Sequence, residues 1–79
     1  MKATVIKELR EFFGQLETMQ ARMEELAAEA RDAYDERSDK WKEGEAGEKM
    51  DTEINNLEMA ASYCENSRDS LSEIEGMND

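Results

Sequence analysis

An unbroken helical repeat over residues 5–41 constrains the fold of this chain more than any other feature. Apolar side chains return there every three and four residues, and the sequence contains no proline. A two-stranded coiled coil needs only two apolar lines, whereas three occur here, so we expect a helix that packs against more than one neighbour. The lines at heptad spacing are Leu9, Leu16, Met23 and Ala30; Val5, Phe12, Met19, Leu26 and Ala33; and Ile6, Phe13, Ala27 and Tyr34.

A second helical pattern follows a short segment that contains glycine. Residues 43–48 read Glu-Gly-Glu-Ala-Gly-Glu, with no large apolar side chain, which predicts a chain reversal. After it, apolar residues recur at helical spacing in Met50, Ile54, Leu57, Ala61, Cys64 and Leu71. The sequence therefore predicts one all-α domain over residues 1–79. It is an antiparallel hairpin with a first helix at about 3–41, a turn at about 42–46 and a second helix at about 47–75. Gly76 is expected to end that helix in the left-handed conformation, with Met77 folding back toward Leu71.

The size of the chain predicts association. Below about 80 residues a single core is marginal without disulfides, a metal or oligomerisation. Cys64 has no partner in the chain, and the sequence has no histidine to complete a Cys/His zinc site. We therefore expect two hairpins to pair as a homodimer in a four-helix bundle, with the first helix at its centre. The expected seam residues are Val5, Leu9, Phe12, Phe13, Leu16, Met19, Met23 and Leu26.

The charge of the chain limits its partners. The 21 acidic residues against 10 basic ones give a net charge of −11, and the acidic excess grows toward the second helix. This balance opposes binding to nucleic acid or to an anionic membrane surface and favours a protein partner with a basic surface. No run of residues is long and apolar enough to span a membrane, and the first residues do not resemble a signal peptide. We expect a cytoplasmic protein, which a single unpaired cysteine also fits.

The residue types that enzymes need are missing or misplaced. Without histidine there is no imidazole base, and Cys64 lies on an apolar line, where a thiol is ordinarily inert packing. Gly44 and Gly47 lack the Lys-Ser/Thr that completes a phosphate loop. A calcium loop beginning at residue 35 fails because Arg37, Lys40 and Ala46 replace a ligand, the required glycine and the closing glutamate. We expect no enzymatic activity, no metal and no cofactor.

Two aromatic residues and several carboxylates near the turn form a candidate partner-binding site. Tyr34 and Trp41 are one heptad apart, and they either seal the end of the hairpin or anchor a partner, since both types are enriched at interfaces. Carboxylates in the first turn of a helix are also favoured by its dipole, which is a structural explanation for some of the acid. The candidate residues are Tyr34, Trp41, Glu43, Glu45, Glu48 and Asp51.

The same region carries a resemblance. Residues 35–48 read Asp-Glu-Arg-Ser-Asp-Lys-Trp-Lys-Glu-Gly-Glu-Ala-Gly-Glu, and Ile-Asn-Asn-Leu-Glu follows at 54–58. This pattern resembles a segment of small uncharacterised bacteriophage proteins in which Arg-Ser-x-Lys-Trp precedes a Lys-Gly-Glu turn and an acidic helix. Where those proteins have Ser-Glu-Lys-Gly-Glu, residues 44–48 here read Gly-Glu-Ala-Gly-Glu, so a capping serine and a basic residue are lost. The resemblance covers about residues 35–60 and implies a phage origin and a helical hairpin, but no activity.

Two functions are compatible with these patterns. The first is an acidic phage-type protein that binds and inhibits a host defence or nucleic-acid-handling protein. DNA mimicry is one way to do so, because a dimer at about −22 along about 50 Å carries roughly one net charge per 2.3 Å, against about one per 1.7 Å in duplex DNA. The second is a structural, assembly or adaptor protein that acts through its apolar helical seam.

Overall fold

The computed structural model describes residues 1–78, so Asp79, the last residue of the predicted domain, lies outside the description. Three helices follow one another: α1 (Ala3–Asp35), α2 (Asp39–Glu43) and α3 (Glu45–Ser72). α1 and α3 run antiparallel along each other, and α2 packs against α3 at the reversal. The result is a rod of 57 × 15 × 14 Å. No strand occurs among the described residues, and the predicted all-α hairpin of two long helices is confirmed.

The first helix ends earlier than the predicted residue 41. α1 stops at Asp35, and the chain starts a new short helix after Ser38, whose backbone is extended. The Ser38 Oγ accepts a hydrogen bond from the Trp41 backbone N–H at 3.3 Å, which is the ordinary way in which serine caps a helix N-terminus. The chain therefore reverses over residues 36–44 instead of 42–46, and Gly44 alone separates α2 from α3.

The core lies on the third apolar line of α1 and is narrow. Ile6 and Ala27 are buried, and they face a helix α3 whose buried side chains are Ile54, Ala61 and Cys64. Alanines at the centre bring the two helix axes close together. No side chain of the described residues is completely shielded from solvent, which is expected when only two helices share a core.

A polar pair interrupts this core near its middle. Gln20 is buried on the core line of α1, and its Oε1 accepts a hydrogen bond from Nη2 of Arg68 on α3. The Arg68 guanidinium also lies 5.8 Å from the centre of the Phe13 ring. Gln20 Nε2 in turn donates to Glu24 at 2.9 Å. A shift of one helix along the other would place the guanidinium against apolar side chains, so we expect this pair to fix the register of the hairpin.

The residues after α3 fold back onto the start of α1. α3 ends at Ser72 instead of the predicted residue 75, so Gly76 does not end this helix. Gly76 has the predicted left-handed conformation, with a φ of 98°, and Ile6 packs against it. Arg10 Nη2 donates to the Gly76 carbonyl oxygen at 2.6 Å. Met77 is buried, and it lies in a pocket with Phe13 and Ser72. This segment closes the end of the hairpin that lies opposite the turn.

Gly47 permits the close approach of α2 and α3. It is buried, and a Cβ at this position would lie 2.5 Å from the Lys42 Cα and the Trp41 carbonyl oxygen, and nearer still to the Lys42 carbonyl oxygen. Backbone atoms cannot move aside as a flexible side chain can. Gly14, in the middle of α1, is exposed and has no atom within 4 Å of the corresponding position.

The two glycines should therefore respond oppositely to alanine. Gly47→Ala should lower the free energy of unfolding by about 2 kcal/mol or more, because α2 must separate from α3. Gly14→Ala should raise it by about 0.5–1 kcal/mol, because alanine is the better helix former at an open position. Urea denaturation followed by circular dichroism measures both changes. A Gly47→Ala protein as stable as the natural one would contradict the close approach.

Candidate functional site

The residues predicted for the oligomer seam divide between the hairpin core and an exposed surface. Phe13 is half-buried on the core line, and Leu9, Leu16 and Met23 are half-buried at its edge. Four further residues remain exposed although the helix pair has formed. These residues, called the apolar stripe below, are Val5 (40% exposed), Phe12 (43%), Met19 (52%) and Leu26 (38%).

α3 continues this surface across a groove between the long helices. The groove is lined by Phe12, Leu16, Tyr63, Asn66, Ser67, Ser70 and Leu71. None of these residues is charged, although charged residues make up 39% of the chain. The groove on the other side of the hairpin includes Glu24, Arg31 and Glu58. We call the apolar stripe together with this uncharged groove the apolar face.

At the sequence level we missed Tyr63, which belongs to this surface, and Met59, which precedes it on α3. Tyr63 is 60% exposed and Met59 is 50% exposed, one helical turn apart on α3. Neither belongs to the apolar line that predicted the second helix. Their spacing of four residues could have predicted this surface, because two large apolar side chains one turn apart lie on the same face of a helix.

The hairpin exposes more surface than a compact protein of its mass. Its accessible surface is 5898 Å², whereas a folded 9.1 kDa monomer exposes about 4,900 Å² by the usual scaling. Its radius of gyration is 17.5 Å, against about 12 Å for a compact chain of this length. The excess of about 1,000 Å² is similar to the roughly 800 Å² that each partner buries in an ordinary protein interface.

At the turn end, Tyr34 and Trp41 pack on each other beneath basic side chains. Their ring centres are 6.2 Å apart in an edge-to-face arrangement, and both residues are half-buried. The Arg37 guanidinium lies 4.0 Å from the Trp41 ring centre, and Lys42 Nζ lies 5.5 Å from that of Tyr34. Lys42 also donates to the Asp35 carbonyl oxygen at 3.2 Å. These contacts tie α2 to the end of α1, as the sealing interpretation requires.

The four predicted carboxylates have different environments. Glu43, Glu45 and Glu48 are exposed. Asp51 is half-buried and pairs with Arg31 of α1 at 2.8 Å, and this hydrogen-bonded carboxylate is the main cause that raises the pKa of Arg31 above its ordinary value. Asp51 therefore links α1 to α3, and the other three carboxylates are exposed near the turn.

Apart from the apolar face and the turn end, residues 1–78 show few features of a functional site. No group of three or more His, Cys, Asp or Glu side chains in this part of the chain is arranged to hold a metal ion. The Cys64 thiol is free and buried. Across the same residues, neither long helix contains an apolar stretch that could cross a membrane.

Comparisons of the chain with protein-family models, with curated proteins and with solved structures give no match. The resemblance of residues 35–60 to phage proteins therefore stays a prediction.

Trp41 at the turn end and Tyr63 on the apolar face should differ in their effect on stability. Trp41→Ala should lower the free energy of unfolding by about 2 kcal/mol, because the aromatic pair and the cation contact are both lost. Tyr63→Ala should change it by less than about 0.5 kcal/mol, because Tyr63 is mostly solvated. Denaturation at low protein concentration separates these effects from association. Equal, small changes would mean that Trp41 does not hold the turn end together.

Proposed function

We propose that the protein is a non-enzymatic protein-binding module that acts through its apolar face in a structural, assembly or adaptor role. The observation that carries this proposal is the uncharged groove beside four exposed apolar side chains, in a chain so rich in charge. Removing such surface from water is worth about 25 cal/mol per Å². Apolar patches bordered by polar residues are characteristic of interaction sites.

The proposal includes a homodimer in which the apolar faces of two hairpins cover each other and complete a four-helix bundle. The excess surface of the single hairpin supports it, as does the small core, in which no side chain of the described residues is fully shielded. Pairing would place Phe12, Met19 and Tyr63 in a second core. Antiparallel helix pairs joined in this way form bundles with short loops and a continuous apolar centre.

A charge placed in the apolar stripe should abolish this association. Phe12→Glu should convert a dimer, twice the 9.1 kDa chain mass, into a monomer with the same helix content, because Phe12 lies outside the hairpin core. Ala21→Glu adds the same charge at an exposed position on the other side of α1 and should leave the dimer intact. Light scattering over a range of concentrations gives both masses. Equal behaviour of the two variants would contradict binding through the apolar face.

The exposed carboxylates favour a second function, in which the chain binds another protein through its acidic turn end. In it, the chain is a phage-type inhibitor in the host cytoplasm that binds the basic surface of a defence or nucleic-acid-handling protein. Glu45 and Glu48 lie exposed in the first turn of α3, and Glu43 lies beside them. A net charge of −11 on a rod 57 Å long would steer it toward a basic groove. Mimicry of DNA is the corresponding mode of inhibition.

Displacement of duplex DNA from a basic host DNA-binding protein tests this second function. The chain should displace the DNA, and raising salt from 50 to 300 mM should weaken the effect about tenfold or more. Changing Glu43, Glu45 and Glu48 to glutamine should weaken it further by several-fold. The matched control changes Glu65, Asp69 and Glu73 to their amides at the other end of α3, with the same loss of charge. No displacement at low salt would contradict inhibition by mimicry.

A further inference from the structure

The apolar stripe is symmetric about its centre. Val5, Phe12, Met19 and Leu26 are spaced by seven residues, and their midpoint falls between Gln15 and Leu16. If a second α1 packs antiparallel about this midpoint, Val5 meets Leu26 of the second copy and Phe12 meets Met19 of the second copy. The contact of Val5 with Leu26 joins two aliphatic side chains, and the contact of Phe12 with Met19 is a favourable sulfur–aromatic pair.

The charged residues beside the stripe are centred half a residue away, on Gln15. Glu8, Gln15 and Arg22 are also spaced by seven, along the outer edge of the stripe. In the antiparallel arrangement Glu8 lies within one residue, about 1.5 Å along the helix, of the level of Arg22 of the second copy, and Gln15 lies beside its own equivalent. In a parallel two-fold pairing this edge would instead face the opposite edge of the stripe on the second copy, which carries Leu9, Leu16 and Met23, so the two charges would have no charged counterpart. Opposite charges at such flanking positions select the orientation of helix pairs.

The distribution of net charge along the rod favours the same arrangement. Residues 21–60, which form the half of the hairpin nearer the turn, carry 13 acidic and 6 basic side chains. The rest of the chain carries 8 acidic and 4 basic ones. Antiparallel pairing moves the two more acidic halves apart, whereas parallel pairing places them side by side. Repulsion between like charges a few ångströms apart is substantial even near a protein surface.

We propose that two copies of this chain pair antiparallel through α1, about a two-fold axis between Gln15 and Leu16, and expose their turn ends at opposite ends of a longer rod. This inference rests on the proposed function and specifies its partner. The axis lies about 22 Å from the start of the chain at 1.5 Å per residue. In a hairpin 57 Å long, the turn end then lies about 35 Å beyond the axis, so the two turn ends are about 70 Å apart.

This geometry gives the dimer two equivalent acidic ends. Each end carries α2 together with Glu43, Glu45 and Glu48. The apolar stripe stops at Leu26, so the helical segments beyond it extend past the paired region and are available to other proteins. A dimer of this shape can connect two identical partners at its opposite ends. A bundle with both turns at one end would instead hold the two partners side by side.

Distances between spin labels test the arrangement. Labels on Glu45→Cys, in a Cys64→Ala background, should be about 70 Å apart by pulsed dipolar spectroscopy, whereas labels on Gln15→Cys should be less than about 25 Å apart. A short distance at residue 45 in a protein of dimer mass would overturn the antiparallel arrangement and leave the proposed function standing. A monomer mass for the natural chain at every concentration would overturn both. Circular dichroism confirms that the Cys64→Ala background is folded.

A charge exchange in the natural background gives the same test without labels. Glu8→Arg and Arg22→Glu should each weaken dimerisation about three- to tenfold, because each places like charges opposite each other twice in the dimer. The double variant should restore the natural dissociation constant to within about twofold. Failure of the double variant to recover, with both single variants weakened, would overturn the pairing of these residues.

Discussion

Two helices can shield only one side of each other, and this limit governs the structure. α1 has apolar residues along three lines, but α3 covers little more than one of them. The covered line contains Ile6 and Ala27, and only Ile54, Ala61 and Cys64 are buried on α3, so the core is thin. The apolar stripe is what remains after this packing. Its exposure follows from the architecture and does not reflect a local irregularity.

Both ends of the hairpin are fastened by specific contacts that leave the apolar face free. At the turn, Gly47 admits the backbone of α2, and the Tyr34–Trp41 pair holds α2 against α1. At the other end, the segment containing Gly76 and Met77 folds over the start of α1. Between them, Arg31–Asp51 and Arg68–Gln20 join the long helices. The single hairpin is therefore a defined unit whose remaining apolar surface points in one direction.

The local sequence predicted the helices from their periodicity, the antiparallel pairing from the short glycine-containing turn, and the left-handed conformation of Gly76 from the glycine itself. It did not predict which apolar line is buried, since three lines compete and only the position of α3 decides between them. The end of α1 at Asp35 was missed because the periodicity continues to Trp41, although Ser38 carried the signal for a new helix. The roles of Gln20 and Asp51 depend on contacts with residues far along the chain, and that of Gly47 depends on the close approach of α2 to α3. Nothing in their immediate neighbours indicates those contacts.

The separation of uncharged and acidic surfaces links the fold to the proposed functions. An uncharged groove can be covered without leaving buried charges unpaired, whereas the acidic turn end is suited to remain in solvent or to meet a basic surface. Self-association through the apolar face underlies both the proposed function and the antiparallel rod. Sedimentation equilibrium of the natural chain at micromolar concentration tests it most directly. A mass twice that of the 9.1 kDa chain is expected, and a single-chain mass that persists at the highest concentration would contradict it.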